Sequence, residues 1–198
     1  MNSLLLAIVD AGKAEALMQL AKESGSNGGT ILRGRGTAPN SLLCLLGLGD
    51  SSKEILLSLV EEAVEPAVWK ALALSHHTKG LLAAIPVSEE RRPFLPNTCE
   101  WDLVYSICSS GYADDIMAAA RKAGAGGGTI LEGRGTATNN DIAFFSAPLV
   151  PEKELLLILL KREQTEAVLS SIAKLSFLQE RGSGIAFSVP IQKVAVLK

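Results

Sequence analysis

Cysteine, histidine and aromatic residues are scarce: the 198 residues include three Cys and two His, and aromatics make up 5%. Cys44, Cys99 and Cys108 are odd in number and form no C-x-x-C pair, which argues against a disulfide framework and a four-thiolate zinc site and fits a reducing compartment. His76 and His77 are adjacent, so most regular backbones aim them apart, and no Cys or carboxylate stands beside them. They are expected to be a surface loop pair rather than metal ligands, and no metal site is expected. Long apolar runs are also missing. Leu4 to Val9 has no basic residue before it and meets Asp10 too early for a signal-peptide core. Nothing approaches the roughly 18 apolar residues of a membrane helix, so a cytoplasmic protein that is not membrane-embedded is expected. Charge excess is absent as well. Residues 1–98 carry nine basic and ten acidic side chains and residues 99–198 carry ten and eleven, an even balance that argues against nucleic acid as a partner.

What the sequence does contain is a duplication. Gly28-Gly29-Thr30-Ile31-Leu32-Arg33-Gly34-Arg35-Gly36-Thr37 returns as Gly127-Gly128-Thr129-Ile130-Leu131-Glu132-Gly133-Arg134-Gly135-Thr136, and only Arg33 against Glu132 differs. The offset of 99 also pairs Gly12 with Gly111, Ala21 with Ala120, Lys22 with Arg121 and Gly25 with Gly124. It slips to 100 at Lys53-Glu54 and Lys153-Glu154, and to 104 at Ile85-Pro86-Val87 and Val189-Pro190-Ile191, marking loops of unequal length. Residues 88–97, polar and broken by Pro93 and Pro96, have the chemistry of a linker. Two modules follow, 1–97 and 98–198.

Each module opens with a short apolar run, 4–9 or 103–108, that reads as a buried strand. Ala14, Leu17, Met18 and Ala21 then fall at helical spacing and Gly25 supplies the stop; Ile116, Met117, Ala120 and Gly124 repeat the pattern. Thr30-Ile31-Leu32 reads as a second strand ending in the Gly-Arg-Gly, and Ile55–Val60 as a third. A second helix is expected over 65–75, with Pro66 in its first turn, and over 166–178 in the other copy. Closing strands are expected at 81–87 and 185–191. The order β-α-β-β-α-β is the ferredoxin-like arrangement, an α+β fold with an antiparallel sheet backed by two helices. Both helices cover one face, so the other needs a partner. Either oligomerisation or sheet-on-sheet packing of the two copies supplies it.

The glycines before Thr30 and Thr129 follow a helix and open a strand, the reverse of a dinucleotide or P-loop fingerprint. Gly34-Arg35-Gly36-Thr37 admits two readings. Its glycines serve a strand end whose backbone tolerates no side chain. Alternatively, they let an anionic ligand reach main-chain N–H groups while Arg35, and Arg134 in the second copy, offers a planar fork to phosphate or carboxylate. Asp114-Asp115 suits a helix start. No Ser/His/Asp or Cys/His set recurs in both copies, so no enzyme is expected.

With the repeated G-G-T-I-L-x-G-R-G-T, the Lys-Glu before strand three and Gly182-Ser183-Gly184-Ile185-Ala186-Phe187 leading into the last strand, both copies resemble the PII nitrogen-regulatory superfamily over nearly their whole length. That resemblance implies a non-enzymatic signal-transduction protein that binds an effector between modules, ATP, ADP or another adenine nucleotide, and regulates an enzyme or transporter in nitrogen metabolism. It implies no tightly bound cofactor. Thr30 and Thr129 match the family's position near the adenine, Gly34, Gly36, Gly133 and Gly135 the base of its flexible loop, and Gly80, Gly182 and Gly184 its phosphate loop. With Arg35, Thr37, Arg134 and Thr136, these make the candidate ligand set. The family's phosphate-loop lysine is replaced by Leu81 and Ile185, leaving Lys79, Arg181, Arg35 or Arg134 to substitute. Segments 37–52 and 137–152 stand where the family's target loop lies. They are short, lack tyrosine and carry Leu42-Leu43-Cys44-Leu45-Leu46 and Ala143-Phe144-Phe145, so an ordered segment or extra edge strand is expected, without tyrosine uridylylation. Three modules per family ring would make a trimer of two-module chains the natural homo-oligomer. The alternative is a structural assembly module whose ligand site has decayed.

Overall fold

Alternation in the first apolar run dictates the layering. In β1 (Asn2–Asp10) Leu5, Ala7 and Val9 point one way and Leu4, Leu6 and Ile8 the other, as a period of two requires. The computed structural model describes residues 2–37, 51–75, 78–87, 99–134, 143–144, 147–148, 152–179 and 184–197. Module 1 continues with α1 (Ala14–Glu23), β2 (Thr30–Gly36), β3 (Ser51–Val60), α2 (Glu65–Ala73) and β4 (Gly80–Val87). Module 2 has β5 (Trp101–Ser109), α3 (Ala113–Lys122), β6 (Thr129–Arg134), a two-residue pair β7 (Ala143–Phe144) and β8 (Ala147–Pro148), β9 (Glu152–Lys161), α4 (Arg162–Ala173), a 3₁₀ turn at Ser176–Gln179, β10 (Gly184–Ile191) and β11 (Lys193–Leu197). The βαββαβ order holds twice, and every strand pairing is antiparallel.

Nine strands form one sheet in the order β10-β5-β9-β6-β2-β3-β1-β4-β11. Its two halves are the ferredoxin-like sheets of the modules. They join where Gly34, Arg35 and Gly36 pair with Leu131, Ile130 and Thr129. Leu5, Leu56 and Leu82 of the sheet pack against Leu17 of α1 and Val68 of α2, while Val104, Leu156 and Ile158 pack against Met117 of α3 and Val168 of α4. Between the half-sheets lies a third core, in which Leu6, Ile55, Ala83 and Ile85 of module 1 meet Leu103, Leu131, Leu157 and Ile191 of module 2. The faces left open by the helices therefore cover each other within one chain. Sheet-on-sheet packing of the two copies, one of the two ways expected to cover that face, is the one present within the chain.

The second seam is closed by the C-terminus. After β10 the chain turns at Gln192, whose N–H donates to the Ala84 carbonyl at 2.9 Å, and β11 joins the edge of module 1's sheet by pairing with β4. Leu197 enters the module 1 core with Ala195 beside it. Lys193 reaches both oxygens of the buried Glu65 carboxylate at 3.0 Å and lies over the Trp69 ring. The boundary between modules in sequence is thus crossed in space.

α4 begins four residues earlier than the expected 166 and stops at Ala173 rather than 178. The Lys161 N–H donates to the Gln164 side chain at 3.3 Å and fixes the start, while the four residues gained by the second copy fold as the 3₁₀ turn, which packs Phe177 and Leu178 on the module 2 core. The β7–β8 pairing places a small hairpin in the second module's loop after strand two. The segment 37–52 expected to be ordered lies, from 38 to 50, outside the described residues. His76, His77 and Cys44 lie outside them too.

Candidate functional site

The repeated Gly-Arg-Gly-Thr of module 1 sits at the junction of the modules. A Cβ at Gly34 would stand 2.5 Å from the Ile130 carbonyl oxygen across the seam, so the ladder closes only with glycine there. Thr37 continues the contact: its N–H and hydroxyl both donate to the Gly128 carbonyl, at 2.9 and 3.1 Å, and its hydroxyl accepts from the Gly128 N–H at 2.8 Å. Arg35 lays its guanidinium fork on Asp114 of α3, with Nη1 and Nη2 donating at 3.2 and 2.7 Å. Arg121, seven residues along the same helix and hence on the same side, donates to the Thr37 carbonyl. β2 of one module is therefore held to α3 of the other at both ends of the helix, through two guanidinium groups and one acid.

The glycines before each strand two are explained locally. A Cβ at Gly29 would meet the Leu57 carbonyl at 2.5 Å and one at Gly128 the Leu157 carbonyl at 2.7 Å, so each chain crosses strand three too closely for a side chain. At the last strands, a Cβ at Gly80 would collide with the Ile8 carbonyl and one at Gly184 would meet the Ile107 carbonyl at 2.6 Å. Gly80, Val9, Glu54 and Arg33 are successive cross-strand partners. The base of β2 and Gly80 thus share one end of the half-sheet, separated by three strand spacings of ~4.8 Å. Lys79 is exposed at that end, and Lys53 pairs with Asp10 at 2.5 Å between them. Thr30 is exposed and Thr129 is buried. Gly135, Thr136, Arg181 and Gly182 lie outside the described residues, as does the side chain of Arg134, while Gly133 lies in β6 beside Lys153.

Two features escaped the sequence reading. Glu54 and Glu154 each hold a helix start: Glu54 accepts from the Ala14 N–H at 3.0 Å, and Glu154 from the Gly111 and Ala113 N–H groups, both at 3.0 Å. The Ala14 amide foremost, helped by those of Gly12 and Lys13 and by Arg33, holds the Glu54 carboxyl below its ordinary value. The repeated Lys-Glu was the available signal. The other feature is a groove of about 440 Å³ between α4, the 3₁₀ turn and β10, into which Gly184 opens. Burial pushes the Cys108 thiol up to about 11, so it is no nucleophile at neutral pH. Among the described residues no group of three His, Cys, Asp or Glu side chains is placed to hold a metal, and no helix is long and apolar enough to cross a membrane.

No protein-family model matches the chain, and no curated protein matches it. Similar solved structures include a protein of unknown function from Galdieria sulphuraria (12% identity, 96% of this chain and 99% of that one, TM-score 0.33). They include an anthrone oxidase-like protein (8%, 98% and 93%, TM-score 0.25). A third is a mutant chlorite dismutase from Candidatus Nitrospira defluvii (10%, 97% and 92%, TM-score 0.25). Likeness at this level bears on no residue of the chain.

Proposed function

We propose that the chain is a non-enzymatic, PII-like regulatory protein that binds a small anionic effector at the seam between its modules and relays occupancy to a protein partner. The observation that supports it most is the meeting of Arg35 and Arg121, from different modules, around Thr37. A guanidinium fork already holding a carboxylate suits phosphate equally well. The effector takes the place of Asp114 on Arg35, and exchanging an internal carboxylate for a ligand alters what ties β2 to α3. An adenine nucleotide is the effector class implied by the family resemblance, and nitrogen metabolism the setting.

Isothermal titration with ATP, ADP, AMP and cyclic nucleotides tests this. Arg35→Ala should weaken binding by about 1–3 kcal/mol, as loss of a charge-assisted hydrogen bond does. Asp114→Asn should strengthen it, because the internal competitor loses its charge. Silence from every nucleotide removes the nucleotide part, and an Asp114→Asn variant that binds no better removes the exchange.

A second reading, an assembly module without effector, is favoured by the same bidentate Arg35–Asp114 pair and the close approach at Gly34, which explain the motif with no ligand. It predicts that Asp114→Asn only lowers stability. ATP hydrolysis by the purified chain would overturn both readings.

A further inference from the structure

Among the described residues the two modules end differently, and a groove lies beside the last strand of the second. In module 1, β4 is followed on its outer edge by β11, which pairs Leu197 with Gly80, Val196 with Leu81 and Ala195 with Leu82. Ala195 and Leu197 fill the space between β4 and α2, against Trp69, Leu72 and Ala73. In module 2 the matching strand, β10, ends the strand order among the described residues and pairs there with β5 alone. The groove beside it is lined by Leu169, Ile172, Ala173, Gly184, Ile185 and Ala186. At offsets of 100 and 104 these are the counterparts of Trp69, Leu72, Ala73, Gly80, Leu81 and Leu82, the surface that β11 covers in module 1. On its opposite face β10 leaves Ile185 57% and Phe187 41% exposed, where in module 1 Val196 and Val194 of β11 stand beside the counterparts Leu81 and Ala83 as cross-strand partners.

From this correspondence we infer that β10 and α4 form a strand-addition site for an extended segment of a partner protein, apolar on both faces and carrying one basic residue. An edge strand offers a row of unpaired backbone groups to such a segment, and alternate pockets select its side chains. The chemistry of the occupant is displayed by β11 itself, where Lys193 reaches Glu65 beside small and aliphatic residues. In module 2 the buried counterpart of Glu65 is Thr165, bonded to Asp102 at 2.8 Å, and the acid that lines the groove is the exposed Glu166. A basic residue entering the slot meets that charge. Other occupants fit less well. Residues 89–93, which follow β4 in sequence as β11 follows β10 and lie outside the described residues, are Glu-Glu-Arg-Arg-Pro, with charges and a proline where β11 has Lys, Ala and Leu. A second copy's β10 presents Gly184, Ala186 and Ser188 to the helix side, too small to fill the groove and without a cation. The site goes beyond the effector proposal and stands without it.

The test is an anisotropy titration of the full chain into a labelled, end-blocked peptide Lys-Val-Ala-Val-Leu, the sequence of β11. Saturable binding at one site per chain is expected, with a photo-cross-linker on the central alanine labelling β10 or α4. Glu166→Lys, an exposed change on a helix, should weaken binding about tenfold. A peptide with Glu in place of its lysine should recover that loss. Absence of binding overturns the site, as does binding indifferent to Glu166→Lys. A cross-link to β4 or α2 also overturns it, because the peptide has then displaced β11. Self-association of the chain that the peptide abolishes makes a second copy the occupant and equally contradicts the proposal.

Discussion

Gly34 and Gly133 hold the same place in two copies of one motif and meet different surroundings. A side chain at Gly34 would strike the Ile130 carbonyl at 2.5 Å, whereas at Gly133 the nearest atom is the Lys153 carbonyl at 3.8 Å, an ordinary contact. The seam uses Gly34–Gly36 of β2 and Thr129–Leu131 of β6, so each module contributes a different part of the same ten residues. Similar divergence recurs inside the modules. Ser26 and Ser58 share a hydrogen bond of 2.8 Å, and Ser58 caps the Gly28 carbonyl at 2.8 Å; their counterparts are the apolar Ala125 and Ile158. Duplicated sequence has therefore become two complementary halves, and identity of residues does not mean identity of role.

The comparison breaks most severely at the C-terminus. Leu197 is 2% exposed in the module 1 core, and among the described residues no strand takes its place in module 2. Leu197→Ala should cost about 2–5 kcal/mol in denaturant unfolding, with amide exchange quickening first around α2 and β4. Next comes the seam: Gly34→Val should destabilise by about 1–3 kcal/mol through overpacking, while Gly133→Val should stay within about 0.5 kcal/mol. Equal effects at the two glycines would mean that the seam is not where β2 and β6 meet. Ser58→Ala should cost about 1 kcal/mol, since it removes the shorter of the two hydroxyl bonds to the Gly28 carbonyl and the bond to Ser26, leaving Ser26 alone on that carbonyl at 3.3 Å.

Glu54 gives a smaller effect with a pH signature. Its carboxyl is held below the ordinary value, so its stabilisation is present above that value and is lost as pH falls through the folded one. Glu54→Gln should cost about 0.5 kcal/mol at neutral pH, the loss of a helix-start contact reduced by solvent screening. The gap from the unaltered protein should close on acidification through the carboxylate range, as thermal melts at neutral and acid pH would show. Smallest is the one position where the motifs differ. The β2–β6 ladder ends at Gly34 and Leu131, and continuing its register by one step would bring Arg33 and Glu132 opposite each other. Arg33→Glu should lower stability by a few tenths of a kcal/mol, and adding Glu132→Arg should restore it.

The duplication, the element order and the uncovered sheet face were legible because each rests on local periodicity and spacing. So was the alternative that proved correct for that face, packing of one copy on the other. The destination of Lys193–Leu197 was not. Lys-Val-Ala-Val-Leu has strand chemistry, but only the vacant edge of β4 in the other module decides where it docks. The start of α4 was missed because its opening run of polar residues, Arg162 to Gln164, hides a helix that packs only from Thr165 onward. At the candidate site, the glycines around Arg35 were read as room for a ligand or a turn. Gly36 is crowded by the Ser51 and Lys53 side chains of β3, and Gly34 by the Ile130 backbone carbonyl, a contact formed across about a hundred residues of chain and invisible in local pattern.

The central claim is that two sequence modules form one structure through a shared inner core, the β2–β6 seam and the crossing β11. Scanning calorimetry of the full chain tests it most directly. A single transition whose calorimetric and van't Hoff enthalpies agree, shifted as a whole by Leu197→Ala, is the predicted result. Two separable transitions, with Leu197→Ala lowering only one of them, would contradict it.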